Sequence, residues 1–264
     1  MPNLFEDLSL IKEQRPIVHN ITNYVVMDLT ANALLAISAS PIMAHALEEI
    51  EDIIPLAKSV VINIGTLDNH WITCMHQAIK VANKLNVPVI LDPVGAGATK
   101  FRTDTILTFL QENQISVLRG NAAEIMALAR VNIQSKGVDS QYGSHAAIEA
   151  CPFLVNKYKC VVVVSGATDT IQANNDIAYV KNGHAMMTNV TGMGCTASAI
   201  IGAFCAVNQD YFTASINAMA AMGIAGELAA AQSEGPASLR VNFIDQLYLL
   251  NEENIQRAKI EIKS

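Results

Sequence analysis

The strongest constraint on the fold is a repeated pattern in which a short apolar run leads into a turn and then into a segment with helical periodicity. We predict strands at 59–64, 87–91, 115–118 and 160–164, and helices at 70–85, 103–112, 121–130 and 145–157. Continuous apolar strands separated by helices are typical of a parallel sheet that is covered on both faces. The chain is therefore predicted to be an α/β protein with a mostly parallel central sheet.

The pattern changes near Thr170. We predict short antiparallel strands at 170–173, 177–180 and 184–187, the last two joined by an Asn182-Gly183 turn. Two Ala-rich helices should follow at 195–208 and 212–233, and 241–248 should be a short strand or a turn into a helix. No linker-like tract divides the sequence, which predicts a single domain over 1–264 with a small antiparallel edge.

Composition limits the possible partners. Hydrophobic residues make up 51% of the chain and charged residues 16%, against about 25% charged in an average soluble domain. Either the core is large or part of the surface is covered by other subunits, and we expect both. The net charge of −7, with only 17 Lys and Arg residues, is incompatible with a broad basic surface and argues against a nucleic-acid partner.

A membrane location is also disfavoured. The uncharged segment 194–207 is shorter than the roughly 20 apolar residues that a spanning helix needs, and polar residues follow it at once. The beginning of the sequence lacks the pattern of a signal peptide. The five cysteines include no C-x-x-C pair, which argues against disulfides and a zinc site and predicts a cytoplasmic location.

Polar and glycine residues follow the predicted strands at the point where each one ends. The residues concerned are Asn63 with Gly65, Asp92, Arg119 with Asn121, and Ser165 with Asp169. Ligands of open parallel sheets bind at the carboxyl ends of the strands. We therefore expect the functional site at this edge of the sheet.

Two carboxylates at this edge are candidate ligands of Mg²⁺. Asp92 and Glu124 each follow a buried strand, and Mg²⁺ prefers hard oxygen ligands while keeping several waters. The alternatives are that Asp92 caps the loop before Pro93 and that Glu124 is a first-turn acid stabilised by the helix dipole. Arg119 offers a guanidinium suited to phosphate, or else an ion pair with one of these acids.

Gly192-Met193-Gly194 directly precedes an apolar helix. Glycines let backbone amides turn toward an anion, and the helix start adds partial positive charge. Cys195 lies in the first turn, where the dipole should favour the thiolate. The alternatives are a tight turn into a packed helix and a cysteine that only packs. The segment also matches G-x-G-x-x-A, but a dinucleotide site is disfavoured because the next acidic residue, Asp210, lies at a helix end.

Taken in order, five motifs resemble one family. They are His19-Asn20-Ile21-Thr22-Asn23, Asn63-Ile64-Gly65-Thr66-Leu67, Asp92-Pro93-Val94-Gly95-Ala96-Gly97, Arg119-Gly120-Asn121-Ala122-Ala123-Glu124 and Val190-Thr191-Gly192-Met193-Gly194-Cys195. Each motif alone is weak, but the ordered set resembles hydroxyethylthiazole kinase, a family of the ribokinase-like superfamily. The resemblance extends from about residue 18 to Tyr248.

The resemblance implies a ribokinase-like fold and ATP-dependent phosphorylation of the side-chain hydroxyl of 4-methyl-5-(2-hydroxyethyl)thiazole, in thiamine salvage. It also implies Mg²⁺ as cofactor and a homotrimer with active sites between subunits. It places Met43 and Gly192 at the thiazole and Arg119 and Ser165 at the nucleotide, and it ties the motif from Asn121 to Glu124 to Mg²⁺ and phosphate. Together with the residue patterns above, we expect Asn23 and Gly65 at the thiazole as well, Gly194 and Asn121 at the nucleotide, Asp92 and Glu124 at the metal, and Cys195 in catalysis.

The sequence departs from its relatives in two places. Most ribokinase-like enzymes have an aspartate base where this chain, like the thiazole kinases, has Cys195. The segment 235–240 has Ala237 and Leu239 where Gly and Phe are frequent in the family. Two alternatives stay open. One is a ribokinase-like kinase acting on a hydroxymethylpyrimidine, which an Asp at position 195 would favour; the other is a non-catalytic thiazole or nucleotide sensor, which would need no metal carboxylates.

Overall fold

The computed structural model describes residues 3–134 and 145–263, and within them nine strands form one sheet. In chain order the strands are β1 (Ile17–Ile21), β2 (Ser40–Ile42), β3 (Ser59–Asn63), β4 (Val89–Asp92), β5 (Val117–Asn121), β6 (Val161–Ser165), β7 (Asp169–Ala173), β8 (Asp176–Val180) and β9 (Ile260–Lys263). Their order across the sheet is β2-β1-β3-β4-β5-β6-β7-β8-β9. The first six are parallel, and β7, β8 and β9 join the sheet through antiparallel pairs.

Helices cover both faces of the sheet. They are α1 (Leu4–Gln14), α2 (Met27–Ala36), α3 (Ile50–Ile53), α4 (Asn69–Lys84), α5 (Lys100–Glu112), α6 (Ala122–Gln134), α7 (His145–Tyr158), α8 (Met193–Cys205), α9 (Tyr211–Ala230), α10 (Pro236–Tyr248) and α11 (Glu252–Ile255). Short 3₁₀ turns lie at Leu47–Glu49, Ile54–Leu56 and Ala185–Asn189. Within the described ranges, no helix combines the length and apolar character that crossing a bilayer requires.

The core is divided between the two faces of the sheet. In β3, Val61 joins the core formed with α1, α2, α8, α9 and α10, whereas Val60 and Ile62 join the core formed with α4 to α7. Successive side chains of a strand point to opposite faces, so a strand buried on both sides must be apolar throughout. This is why the continuous apolar runs predict the parallel strands well.

Helix α8 carries the glycine-rich segment and lies in the centre of the molecule. Every residue from Thr196 to Cys205 is buried. A Cβ on Gly202 would approach Val61 Cγ2 of the sheet to 2.7 Å, so only glycine allows the helix to pack this closely. The helix is therefore held firmly over the middle strands, with its N-terminus at the edge where they end.

Two predicted elements are wrong. The segment 184–187 is not a strand, because His184 caps a 3₁₀ turn: its Nδ1 accepts from the Met186 amide at 3.2 Å. The third antiparallel strand is instead β9, which pairs with β8. The segment 241–248 belongs wholly to α10, which begins earlier because Pro236 suits the first helical position and Ser238 bonds back to the Gly235 amide.

Candidate active site

The carboxyl ends of β4, β5 and β6 lie side by side and form the floor of a cleft of about 650 Å³. Two groups of side chains line it. The first, which we call the polar wall, consists of Asp92, Arg119, Glu124, Ser165 and Asp169. The second, the methionine wall, consists of Met187, Met193, Met219 and Met222. Gly192, Gly194, Cys195 and Asn121 line the cleft as well, so most of the predicted site residues meet here.

Asp92 is the most deeply buried member of the polar wall, with 1% of its surface exposed. Its Oδ2 accepts hydrogen bonds from Asn63 Nδ2 at 2.9 Å and from Ser198 Oγ at 2.7 Å. Its Oδ1 has no hydrogen-bond partner among the described residues. Burial raises the pKa of Asp92 to about 6, a rise that the nearby Arg119 charge partly offsets. Asp92 is thus an ionisable group with one oxygen still available.

Arg119 brings positive charge to the same floor. Its Nη2 donates to Ser165 Oγ at 2.5 Å, and its Nη1 lies 3.8 Å from Asp92 Oδ2. The alternative of an ion pair with Asp92 is therefore present, at a distance that is long for an ion pair. A Cβ on Gly194 would come within 2.9 Å of Nη1, so the absence of a side chain there makes room for the guanidinium.

Glu124 organises the loops around the cleft. Its Oε2 accepts from the Asn121 amide at 2.8 Å, while Asn121 Oδ1 accepts from the Glu124 amide at 3.0 Å. This reciprocal arrangement is a capping box at the start of α6. Glu124 Oε1 also accepts from the Gly95 amide at 2.8 Å. The alternative of a first-turn acid is therefore present in the structure, and it leaves some lone pairs of the carboxylate free for water.

The start of α8 has two features that the predicted anion site requires. Gly192 has φ +93°, and a Cβ there would meet Val26 at 2.9 Å, so the position requires glycine for two reasons. The first amides of a helix have no partner within it. The prediction of a thiolate at Cys195 is wrong, however: burial, reinforced by the charge of Asp92, raises the pKa of the thiol to about 11.

Asn23 lies beside Cys195, and Gly65 lies beside Asn23. Asn23 Nδ2 is 3.5 Å from Cys195 Sγ and donates to Asn63 Oδ1 at 2.9 Å. A Cβ on Gly65 would come within 2.5 Å of Asn23 Nδ2. Met43 does not line the cleft, because it follows β2, which is an edge strand three places away from β4 in the sheet. The assignment of Met43 to the substrate stays a prediction.

Comparison with known proteins places the chain in a family. The profile of the hydroxyethylthiazole kinase family matches residues 8–253. A relative named hydroxyethylthiazole kinase from Leptospira biflexa serovar Patoc is 50% identical over 257 residues, which are 97% of this chain and 96% of the relative. The chain belongs to the hydroxyethylthiazole kinase family.

Solved structures agree with this family assignment. A hydroxyethylthiazole kinase protein from Pyrococcus horikoshii OT3 superposes with a TM-score of 0.92 and 43% identity, covering 100% of both chains. A ribokinase-like superfamily protein from Enterococcus faecalis V583 gives a TM-score of 0.62 at 16% identity, covering 91% of this chain and 93% of the other. The second likeness concerns the fold alone and confirms the ribokinase-like architecture.

Sequence reasoning about this family member left three supporting residues unassigned. Asn63 and Ser198 bond to Asp92, and Ser198 could have been found because it lies three residues after Cys195, on the same face of α8. Arg102 gave no local signal. Its guanidinium donates to the carbonyls of Ile64 at 2.7 Å, Val94 at 2.8 Å and Gly65 at 2.8 Å, tying together the loops after β3 and β4.

Proposed function

We propose that this protein transfers the γ-phosphoryl group of ATP to the side-chain hydroxyl of 4-methyl-5-(2-hydroxyethyl)thiazole. The observation that carries the proposal is the position of Arg119, a buried guanidinium at the floor of the cleft that contacts Ser165 and faces Gly194. Phosphoryl transfer requires mainly positioning and stabilisation of charge. A fixed cation beside a helix start provides both for the phosphates of ATP.

The donor set suits magnesium carried by the nucleotide better than a resident metal. Among the described residues no three His, Cys, Asp or Glu side chains are grouped to hold an ion. Asp92 Oδ1, however, is a buried carboxylate oxygen with no partner in that part of the chain, and Glu124 interacts with it electrostatically. We assign these two carboxylates to Mg²⁺, directly or through water, because the ion retains water readily. When bound, Mg²⁺ would neutralise charge on the phosphates.

We assign the amides at 192–195 to the transferring phosphoryl group. A pKa of about 11 keeps the Cys195 thiol neutral near pH 7. We therefore propose that Cys195 contacts the substrate hydroxyl as a thiol and positions it, rather than removing its proton as a thiolate would. Asn23, which lies beside the sulfur, then belongs to the same end of the site.

The remaining assignments concern the assembly. Met43 lies away from the cleft of its own chain, and a thiazole site completed by a neighbouring subunit would give this residue a role. We accordingly retain the homotrimer with sites between subunits as a proposal. The large apolar fraction of the chain supports it. A cytoplasmic location is proposed on the cysteine pattern alone.

The first test compares two substrates. ADP release is measured in a coupled assay with hydroxyethylthiazole and with hydroxymethylpyrimidine as alternative acceptors. We expect turnover with the thiazole. Preferential turnover of the pyrimidine would transfer the protein to the rival kinase reaction, and absence of ADP release with either acceptor would favour a non-catalytic sensor.

The second test addresses Arg119. Because a charged donor aimed at developing charge is worth roughly 10²–10³-fold in rate, Arg119→Ala should lose turnover by about that factor. Arg130→Ala, which changes an exposed arginine of α6 outside the cleft, is the control and should retain full activity. Full turnover in Arg119→Ala would refute the nucleotide assignment.

A further inference from the structure

Asn63 lies between two parts of the site, and the direction of its carboxamide is fixed. Its Oδ1 accepts from Asn23 Nδ2 at 2.9 Å and from the Gly65 amide at 3.0 Å. Asn23 is itself fixed, since its Oδ1 accepts from the Val25 amide at 3.2 Å. With its oxygen directed toward two donors, Asn63 must present its NH₂ group to Asp92.

Asp92 receives this donor on a single oxygen. Asn63 Nδ2 and Ser198 Oγ both bond to Oδ2, at 2.9 and 2.7 Å. The two donors come from different elements, the end of β3 and the second turn of α8. They occupy the two lone-pair positions of Oδ2 and prevent rotation of the carboxylate, which leaves Oδ1 as the oxygen without a partner among the described residues.

A purely structural role would explain two buried hydrogen bonds, but not their arrangement. A carboxylate that served only to fasten the core would use both oxygens, because an unpaired buried acceptor costs free energy. Here both donors converge on one oxygen of a residue that lines the cleft. Outer groups that orient ligating carboxylates in this way are known to change metal affinity by about 10- to 100-fold.

We propose that Asn63 and Ser198 are positioning residues that hold Asp92 with Oδ1 directed at the cation of the magnesium nucleotide. The proposal rests on the proposed function insofar as the cleft binds that nucleotide. Neither residue is expected to touch substrate. Their effect should therefore appear in metal binding and in kcat, with little effect on the KM for the thiazole.

The test uses Ser198→Ala and Asn63→Ala in the full chain, with Mn²⁺ replacing Mg²⁺. Binding of Mn²⁺ in the presence of a non-hydrolysable ATP analogue is followed by electron paramagnetic resonance. Thr196→Val is the matched control, because Thr196 is equally buried on α8 and its hydroxyl has no partner within the described residues. Circular dichroism verifies that all variants fold.

We expect Ser198→Ala and Asn63→Ala to weaken Mn²⁺ binding by about 10-fold or more and to lower kcat to a similar extent. In Ser198→Ala, which does not contact Asn23, the KM for the thiazole should stay within about twofold, and Thr196→Val should match the wild type. Unchanged Mn²⁺ affinity in folded Ser198→Ala, or an equal loss in Thr196→Val, would overturn the proposal. If these substitutions weaken Mn²⁺ binding but the wild type does not turn over the thiazole, the positioning role is upheld and the proposed substrate is refuted.

Discussion

The two walls of the cleft are held in place by different means. In the polar wall, each charged side chain is fixed by hydrogen bonds of definite direction, such as the bond from Arg119 to Ser165 and the capping box of Glu124. The methionine wall has no such bonds available, since a thioether is at most a weak acceptor and packs through dispersion. The polar wall thus has a fixed geometry, whereas the methionine wall is an adaptable surface.

Among these substitutions, Gly194→Ala should have the largest effect on activity, because it disturbs the polar wall. The new Cβ would lie 2.9 Å from Arg119 Nη1 and displace the guanidinium. Misplacement by about 1 Å can cost 10²-fold, so kcat/KM for ATP should fall by roughly that factor. The higher helix propensity of alanine, about 0.5–1 kcal/mol, should offset part of the stability lost when the buried guanidinium is displaced. ADP-release kinetics and thermal unfolding measure the two quantities.

Gly235→Ala is the control for this change. Its new Cβ would meet nothing within 4 Å, and the backbone there is extended, with φ −173°. It should leave both kinetics and unfolding unchanged. A normal kcat/KM in Gly194→Ala would mean that the guanidinium need not occupy its present position.

Asp169→Asn should show how much a buried negative charge in the polar wall lowers the free energy of unfolding. Burial raises the pKa of Asp169 from 3.8 to about 6, although the Gly166 amide and Arg119 offset part of the rise. Because the folded-state pKa is the higher one, the folded protein binds more protons between about pH 4 and pH 6, and stability falls as pH rises through that window. At pH 8 the ionised group therefore opposes folding by an amount of the order of 3 kcal/mol.

Asparagine keeps the acceptor for the Gly166 amide but carries no charge. The free energy of unfolding of Asp169→Asn should therefore exceed that of the wild type at pH 8 and converge with it near pH 4. Urea unfolding at pH 4, 6 and 8 without nucleotide measures the difference. A difference independent of pH would show that the carboxylate is not strained by its surroundings.

Gly226→Ala addresses the methionine wall and should have the smallest effect. The new Cβ would overlap the sulfur of Met187, but that atom lies near the end of a flexible side chain that can repack. We expect a change of about twofold to fivefold in the KM for ATP and no change in kcat. A loss as large as that of Gly194→Ala would show that both walls are equally rigid.

The sequence predicts much of this architecture because two kinds of signal are local. Buried strands must be apolar on both faces, and residues at their ends mark the site, so the positions of Asp92, Arg119 and Ser165 follow from order alone. The start of α8 could also be predicted from the sequence, because Gly192 occupies a conformation that glycine adopts without strain.

The predictions that failed concern properties set by tertiary contacts, which the order of residues in the sequence does not reveal. The helix start favours a thiolate at Cys195, but burial and the charge of Asp92 outweigh it. The 3₁₀ turn at 185–189 depends on a cap from His184, and β9 pairs with a strand about 80 residues earlier in the chain. Arg102 could not be assigned either, since its partners are backbone carbonyls that any sequence possesses.

The bonds of Arg102 also bear on how the cleft can move. One guanidinium holds the carbonyls of Ile64, Gly65 and Val94, so the loops after β3 and β4 are joined through a single planar group. Gly95 packs against the same side chain, with its would-be Cβ 3.1 Å from Arg102 Cδ, and its amide bonds to Glu124. A rearrangement of one loop during the reaction cycle would therefore have to break these hydrogen bonds or move the other loop with it.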